Sequence, residues 1–319
     1  MPVSSLPSPW IVAGALLVEG VFGWPRRLSH PVAWIGGLIA VLERQWNGAE
    51  RPERTRRILG VVVVMILMMV AGGVGWGVQA LTAASPFWPG QWLGLALLLV
   101  CGATGLAARS LFDHVRAVAR PLKAGDLPAA RLAVGMIVGR DVEAMDEGEV
   151  ATAALESLAE SFCDGVVAPA FWFVIGGLPG LFVYKAINTA DSMIGHMEPR
   201  WRAFGWAAAR TDDVLNWIPA RIAGALIALG GGQGWRIMWR DAGKHVSPNA
   251  GWTEAAMAGA LRVRLGGPVR YDGVMTDRPV FGDWAPPSAH DLKRGLKVYG
   301  VACALLLMLL IAGGFAWPR

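Results

Sequence analysis

Charged residues are scarce in this sequence: Asp, Glu, Lys and Arg make up 17% of its 319 residues, whereas 54% are hydrophobic. With a mean hydropathy of +0.43, the composition is too apolar for an ordinary soluble enzyme. The net charge of +5 is spread over loops without a long basic run. This distribution argues against a nucleic-acid partner and favours loops beside anionic lipid, or an anionic substrate.

Cysteine is also rare, with three residues in the chain. No two of them have the spacing of a metal site or of a disulfide framework. The glycine-rich fingerprints GxGxxG and GxxxxGKS/T do not occur. The first ten residues contain neither Lys nor Arg, which does not fit a standard signal peptide. These absences leave carboxylates, amides and fixed cations as the candidate functional groups.

Hydrophobic runs predict several membrane segments. Predicted spans lie near residues 10–24, 58–81, 92–108 and 298–317, of which the short first run could just cross a bilayer or lie partly in its interface. Two further runs, 166–183 and 214–232, are short or broken by glycine and proline. For these two we favour a re-entrant course, because irregular backbone at membrane depth must pack on protein or line a cavity.

Basic residues give these segments an orientation. Arginines cluster before the second run and again after residue 108, and by the positive-inside rule these flanks are cytoplasmic. We expect segments 109–165 and 234–296 to be cytoplasmic and the uncharged loop 85–92 to face outward. The sequence therefore predicts one membrane-embedded domain over residues 1–319. It would be an all-α, polytopic integral protein of the inner membrane, with short, broken or re-entrant helices around a cytoplasm-facing polar site.

An acidic stripe is the first candidate for that site. Asp146 and Glu149 form a capping-box pattern that predicts the start of a helix. On this helix Glu156, Glu160 and Asp164 follow one another at intervals of four and lie along one side. A solvated acidic face is one interpretation. We favour a site for a divalent cation or an ammonium group, because the residues that follow are apolar again.

Two further polar sets lie between apolar flanks, where an ionisable group is costly and is a functional-site hypothesis. They are Lys185, Asn188, Asp191 and Ser192, and Arg210, Asp212, Asp213, Asn216 and Arg221. Within each set an interval of three places the side chains on adjoining helical positions. Arginine is the natural bidentate partner of phosphate or carboxylate. The paired aspartates could hold that arginine or a metal ion.

Polar residues elsewhere could also contact a substrate: His30, Arg140, Lys244, His245 and Asn249. The histidine at position 30 could equally cap a helix, and the arginine could simply pair with the aspartate that follows it. The other three directly precede a predicted helix near residue 253, and helix N-termini favour anions.

Several motifs resemble those of one family, and they occur in the expected order from about residue 10 to the C-terminus. They are SHPVAWIG (29–36), GRDV (139–142), ESLAESFCDGVVAPAFW (156–172), YKAINTADSMIGH (184–196), FGWAAARTDDVLNWIPAR (204–221) and SPNAGWTEAAMAGALRVRLGGP (247–268). The family is the cobalamin-biosynthesis membrane protein CobD or CbiB, adenosylcobinamide-phosphate synthase. The resemblance implies an ATP- and Mg²⁺-dependent ligase. It would join a propionate carboxylate of a corrinoid, adenosylcobyric acid, to the amine of (R)-1-aminopropan-2-ol or its phosphate.

Such a reaction needs an activated carboxylate, most simply an acyl phosphate, with Mg²⁺, cations around the phosphates and a base near the amine. The predicted catalytic residues are Glu156, Glu160, Asp164, Lys185 and Asp191. The predicted metal ligands are Glu156, Glu160, Asp164, Asp212 and Asp213. The predicted substrate and phosphate contacts are His30, Arg140, Asn188, Ser192, Arg210, Asn216, Arg221, Lys244, His245 and Asn249.

Three positions depart from the family's pattern. Ser161 follows Glu160 where the family usually has Asn, Trp24 replaces an acidic residue before proline, and Arg200-Trp201 replaces an Arg-Tyr pair. These departures put Ser161 and Trp24 in doubt as polar ligands. The expected partners are the corrinoid, the amine and the lipid bilayer. Contact with other enzymes of the corrin pathway and a homo-oligomer are left open.

Other functions remain as alternatives. A small-molecule transporter would use broken helices as a midplane site, but it would show two similar halves, and none is visible. A scaffold without catalysis would bind pathway enzymes and turn over no substrate. A membrane phosphoalcohol transferase would keep the acidic cluster and Mg²⁺ but would need no carboxylate acceptor.

Overall fold

The computed structural model describes residues 8–25, 29–83, 90–271 and 273–317. Its helices are α1 (Pro9–Phe22), α2 (Pro31–Trp46), α3 (Glu53–Ala83), α4 (Gly90–Ala103), α5 (Ala108–Lys123), α6 (Leu127–Val134), α7 (Glu147–Phe162), α8 (Ala168–Ile194), α9 (Trp206–Leu215), α10 (Trp217–Gly230), α11 (Trp235–Asp241), α12 (Ala250–Leu261) and α13 (Ala289–Ala316). A π-helical turn (Cys163–Val167) follows α7, and a 3₁₀ turn (Ala242–Lys244) follows α11. Short strands form two antiparallel pairs: β1 (Leu265–Gly266) with β4 (Val280–Phe281), and β2 (Val269–Tyr271) with β3 (Val274–Thr276).

The prediction of an all-α membrane protein is confirmed. Among the described residues, four helical segments are long and apolar enough to cross a membrane: Glu53–Thr82, Trp92–Lys123, Glu147–Ile194 and Ala289–Ala316. Helices α1 and α10 are apolar but shorter. The outward course of the loop 85–92 stays a prediction, since residues 84–89 lie outside the described part of the chain. The helix expected near residue 253 begins at Ala250.

The chain divides into two compact units, each assembled from separate stretches of sequence. The first comprises Met1–Ala107, Ala168–Leu215 and Leu310–Arg319, and the second comprises Ala108–Val167 and Asn216–Leu309. A division of this kind cannot be read from local composition, because neither unit is continuous in the chain.

Helices α3 and α8 form the centre of the first unit, and α2 and α9 pack beside them. Their shared core is aliphatic and includes the fully buried Ile39, Val63 and Ile187. The aromatic ring of Phe204 closes the core from the segment before α9. This core fixes the position of the polar residues that α8 and α9 carry.

The glycine-proline run after residue 175 interrupts α8, as the sequence predicts. Gly177 has a φ of 64°, a left-handed conformation that favours glycine, and Pro179 follows it without an N–H group. The break leaves the Leu178 N–H without a helical acceptor, and the Gln79 side chain of α3 accepts its hydrogen bond at 2.9 Å. In a bilayer an irregular backbone must be satisfied in this way. Whether the segment 166–183 is re-entrant stays a prediction.

Helix α12 lies at the centre of the second unit. Every residue of this helix except Trp252 is buried, and α7, α10 and α11 pack against it. Small residues permit this close packing: Gly251 approaches the Ala242 carbonyl, and Gly259 approaches the backbone of Gly234. A helix buried on all sides has no solvated face on which to place a charge, so any charged residue on it lies in the core.

Two glycines of α3 test the packing of the first unit. A methyl group added at Gly75 would lie 2.6 Å from the Pro179 nitrogen of α8, whereas one added at Gly73 meets nothing within 4 Å. Replacement by alanine raises helix propensity equally at both positions. We therefore expect Gly75→Ala to unfold more easily than Gly73→Ala, by about 1–3 kcal/mol.

Thermal unfolding of the two variants in one detergent measures this difference. Equal melting temperatures would contradict the close approach of α3 to the kink of α8.

Candidate functional site

Glu156 is the buried centre of a group of charged side chains in the second unit. It lies on α7, whose start is fixed by the predicted capping box: the Asp146 carboxylate accepts from the Glu149 N–H, and the Glu149 carboxylate accepts from the Asp146 N–H. The Glu156 side chain is only 5% exposed. A buried carboxylate is costly unless it is paired and hydrogen-bonded.

Three groups from distant parts of the chain compensate the charge of Glu156. Arg140 Nη2 donates to Oε2 at 2.9 Å, and its side chain is equally buried. The Gly266 N–H of β1 donates to Oε1 at 2.7 Å. Arg278, from the segment between β3 and β4, donates to Oε2 at 3.3 Å. Both oxygens are therefore engaged, and one side chain ties α7 to three other segments.

A second carboxylate, Glu254 of α12, lies beside this group. It is fully buried, and its Oε1 is 3.7 Å from both Arg278 Nη2 and His245 Nε2. Neither of its oxygens has a hydrogen-bond partner among the described residues. Burial, followed by the charges of Glu156 and Glu160, raises the pKa of Glu254 well above its ordinary value. These surroundings therefore favour the neutral form of Glu254 more than water does.

His245 contributes a neutral imidazole to the group. Its Nδ1 accepts the Ser247 N–H at 2.9 Å, so the neutral ring carries its proton on Nε2, facing Glu254. Burial, with the charge of Arg278, lowers the pKa of His245. Burial also opposes the charged form of Arg278, but Glu156 and Glu254 outweigh it and raise the pKa of Arg278. The guanidinium is therefore a fixed cation and the imidazole a neutral donor.

The second unit contains a cavity of about 740 Å³. Arg140 and Gly266, which bind this carboxylate, both line the cavity. Two exposed arginines, Arg264 and Arg270, also line it. The volume lies within the range of small-molecule sites, and the charged side chains among its lining residues suit a substrate with charged groups.

Lys244 lies near this group but forms a different ion pair. Its Nζ is 2.6 Å from Asp241, which also accepts from Arg240 and from the Gly282 N–H. Burial alone would raise the pKa of Asp241, but these hydrogen bonds hold it below the usual range. A role for Lys244 at a phosphate, which stays a prediction, would require this pair to open.

The rest of the predicted acidic stripe differs from Glu156 in its surroundings. Glu160 is exposed, while Asp164 is partly buried in the π turn that follows α7. The wider π turn changes the helical register, so the interval of four that aligns the first two carboxylates does not extend regularly to Asp164. Such turns are frequent at functional sites. Nearby, Cys163 Sγ is 3.7 Å from the amide oxygen of Asn216.

In the first unit, α8 and α9 bring Lys185, Asn188 and Asp212 together. The Asn188 amide donates to Asp212 Oδ1 at 3.3 Å, and Lys185 Nζ approaches Asn188 Oδ1 at 3.5 Å. Asn188 and Asp212 are buried, and Lys185 is partly buried. The predicted interval of three on α8 thus places a cation and an amide together, next to a carboxylate of another helix.

The other predicted residues of this unit are more accessible. Arg210 lies 3.5 Å from Asp213, its side chain 67% exposed. Asp191 is partly buried near the end of α8, and Ser192 donates to the Asn188 carbonyl. None of these arrangements tests the predicted roles at phosphate or metal.

His30 caps a helix, as one interpretation of the sequence proposed. Its Nδ1 accepts the Val32 N–H at 3.2 Å at the start of α2. Burial and the nearby charge of Lys185 lower the pKa of His30. A cap does not occupy Nε2, so a substrate contact through that nitrogen stays a prediction.

Arg221 of the second unit is held by aromatic rings and an amide. Its guanidinium carbon lies 4.5 Å from the Trp217 ring centre and 4.7 Å from that of Trp252. Its Nη1 donates to the Asn249 side chain at 3.0 Å. Cation–π contacts of this kind fix a guanidinium without a carboxylate.

A sequence profile described as CobD/Cbib protein matches residues 12–299. The chain belongs to this family. It is 47% identical over 311 residues to the cobalamin biosynthesis protein CobD of Rhodobacter capsulatus, covering 95% of this chain and 96% of that protein. The CobD of Geobacter metallireducens is 43% identical over 307 residues (93% and 94%), and that of Klebsiella pneumoniae is 41% identical over 310 residues (95% and 95%). No solved structure gives a significant match.

Sequence patterns did not predict two residues of the charged group around Glu156, namely Glu254 and Arg278. A signal existed for Glu254, since it is the lone carboxylate in the apolar helix AGWTEAAMAGAL. Arg278 gave none, because it lies among polar loop residues 122 positions from its partner Glu156. The described residues contain no group of three or more His, Cys, Asp or Glu side chains that could hold a metal ion.

Glu156 should stabilise the fold, because it compensates the charge of a buried arginine. Glu156→Gln removes the charge that Arg140 and Arg278 face, and a broken buried pair costs about 3–5 kcal/mol. Glu160→Gln removes the same charge from the exposed position one turn along α7, where about 0.5 kcal/mol is expected.

Melting temperatures of the two variants in one detergent test this difference. If Glu156→Gln melts no earlier than Glu160→Gln, the buried ion pair does not stabilise the protein.

Proposed function

We propose that this protein is an enzyme of cobalamin biosynthesis in the membrane. It joins a propionate carboxylate of adenosylcobyric acid to the amine of (R)-1-aminopropan-2-ol or its phosphate, with ATP as the activating co-substrate. Its relatives, named cobalamin biosynthesis proteins, match it over nearly their whole length. The observation that carries the proposal is the buried group of Glu156, Glu254, Arg140 and Arg278 beside a cavity of about 740 Å³.

The stability of the fold alone does not require a buried charged group of this kind. Replacing a buried ion pair by well-packed apolar residues often leaves the stability of a protein unchanged or increases it. A fully buried carboxylate without a hydrogen bond, such as Glu254, is costlier still. Perturbed ionisable groups in a cleft are typical of functional sites. The arrangement therefore supports catalysis over a purely structural role.

The proposed reaction has two steps. A propionate oxygen of the corrinoid attacks the γ-phosphorus of ATP, so an acyl phosphate forms and ADP leaves. The substrate ammonium group then loses a proton, its nitrogen attacks the acyl carbon, the C–O bond to phosphate breaks, and a second proton leaves the nitrogen. The carboxylates of the group, Glu156 and Glu254, would accept these protons, and the guanidinium groups would stabilise negative charge on the oxygens.

Lys185, Asn188, Asp212 and Asp213 of the first unit fit a nucleotide phosphate with Mg²⁺. Mg²⁺ keeps several waters and needs only one or two carboxylates in addition to substrate phosphates, so a preformed cage is not required. Lys185 would bind a phosphate oxygen, and Asp212, oriented by Asn188, would face the cation. Bound Mg²⁺ would reduce the negative charge that the phosphates present to an attacking carboxylate.

The proposed reaction can be tested with purified protein, adenosylcobyric acid, aminopropanol phosphate, ATP and Mg²⁺. We expect the corrinoid mass to increase by that of the amine less one water, with one ADP released per amide. Lys185→Met should keep the melting temperature of the wild type but lose the stabilisation by Mg-ATP.

A mass increase without ATP would contradict the ligase mechanism. ATP-dependent phosphoalcohol transfer without a carboxylate acceptor would favour the transferase alternative. A Lys185→Met variant that melts early yet keeps its nucleotide shift would assign Lys185 to the fold.

A cytoplasm-facing site can be tested by cysteine labelling in cells. Met197 is 78% exposed and Val246 is 91% exposed, so a cysteine at either position lies on the surface of the protein. With the three native cysteines replaced by serine, a membrane-impermeant thiol reagent should label Met197→Cys and Val246→Cys only in opened cells. Labelling of either variant in intact cells would overturn the orientation.

A further inference from the structure

Arg278 reaches the buried carboxylates from an exposed part of the chain. The strand β3 before it is exposed throughout, whereas the Arg278 side chain is only 21% exposed. Its guanidinium lies 3.3 Å from Glu156 and 3.7 Å from Glu254, longer than the 2.7–2.9 Å of a well-formed charge-assisted hydrogen bond. Arg278 is therefore paired more loosely with both carboxylates than Arg140 is with Glu156.

Glu254 is the carboxylate that Arg278 satisfies least. It is fully buried, and both oxygens are without a hydrogen bond. His245 presents a neutral ring to it and supplies no charge. Glu156 is already compensated by Arg140 and the Gly266 N–H. Among the described residues no cation therefore lies within hydrogen-bond distance of Glu254, and the raised pKa of this residue agrees with that.

The segment that carries Arg278 also borders the cavity. Met275 and Val280, on either side of it, line the cavity, as does Gly266 behind Glu156. Arg140 and Gly266 line the cavity and bind Glu156, so a ligand in the cavity lies close to the carboxylates that Arg278 contacts. A substrate there would meet the carboxylates at the position that the Arg278 guanidinium occupies.

We propose that Glu156 and Glu254 form the binding site for the ammonium group of the amine substrate, and that Arg278 occupies this site until the amine displaces it. The proposal rests on the function proposed above and specifies its amine subsite. An ammonium group is compact and donates three hydrogen bonds in different directions, so it can approach both carboxylates. A divalent cation fits less well, since it needs more oxygen ligands than these two residues supply.

Equilibrium binding to the purified full chain in lipid nanodiscs tests the subsite without turnover. The probes are 1-aminopropan-2-ol phosphate and the matching propanediol phosphate, in which a hydroxyl group replaces the amine. The wild type should bind the amine at least about tenfold more tightly than the diol, because a desolvated charge pair is lost with the diol. Binding of Mg²⁺ alone is measured in parallel.

Three variants separate the roles. Glu254→Gln, which keeps the shape of the side chain, should abolish the preference for the amine. Arg278→Gln should strengthen amine binding, because the competing cation is gone. Glu143→Gln removes the same charge from an exposed residue of the loop before α7 and should bind both probes like the wild type. Amide hydrogen exchange of residues 274–281 should increase when the wild type binds the amine and stay unchanged with the diol.

The proposal is wrong if the Glu254→Gln variant still prefers the amine over the diol. It is also wrong if the Arg278→Gln variant binds the amine more weakly than the wild type does. Mg²⁺ binding that is lost in Glu254→Gln would also overturn it and make the pair a metal site. These outcomes are distinct from failure of the proposed function. If the wild type forms the amide but Glu254→Gln keeps the preference, only the subsite is wrong. A wild type that forms no amide contradicts the function itself.

Discussion

A buried carboxylate must have its charge compensated, and in the second unit the arrangement around Glu156 depends on this requirement. Its two oxygens take hydrogen bonds from Arg140, Arg278 and the Gly266 N–H, which lie 16, 122 and 110 residues away in the sequence. One carboxylate therefore connects helix α7 with the loop before it, with β1 and with the segment between β3 and β4. Removing Arg140 would leave the buried carboxylate without its closest cation, which ties the site's geometry to the fold's stability.

Local physics made part of this structure predictable. A long apolar run needs only its length to indicate a span, and α3 (Glu53–Ala83) contains the predicted 58–81. The capping box of Asp146 and Glu149 is a contact between residues three apart, so spacing alone reveals it. The break in α8 follows from the backbone limits of glycine and proline. Each of these predictions depends on neighbours within a few residues.

The charged group itself depends on contacts that spacing does not report. Helical spacing aligned Glu156 with Glu160, but it could not say that the first is buried and the second exposed. The π turn after α7 altered the register before Asp164, and no pattern of residue types announces such a turn. Arg278 joined the group from an exposed strand segment. Pairing between residues more than a hundred positions apart is decided by the tertiary fold. The spacing of residues in a single sequence does not reveal it.

The charge balance of the group explains why it suits exchange of a cation. Two buried carboxylates, Glu156 and Glu254, face two guanidinium groups, Arg140 and Arg278, while His245 is neutral. A ligand cation can therefore bind here only if it replaces one of the two arginines. Arg140 is buried as deeply as Glu156 and cannot leave without stranding a charge. Arg278, on a solvent-exposed segment and more loosely paired, can leave at lower cost. The asymmetry between the two arginines lets one maintain the fold while the other gives way to a ligand.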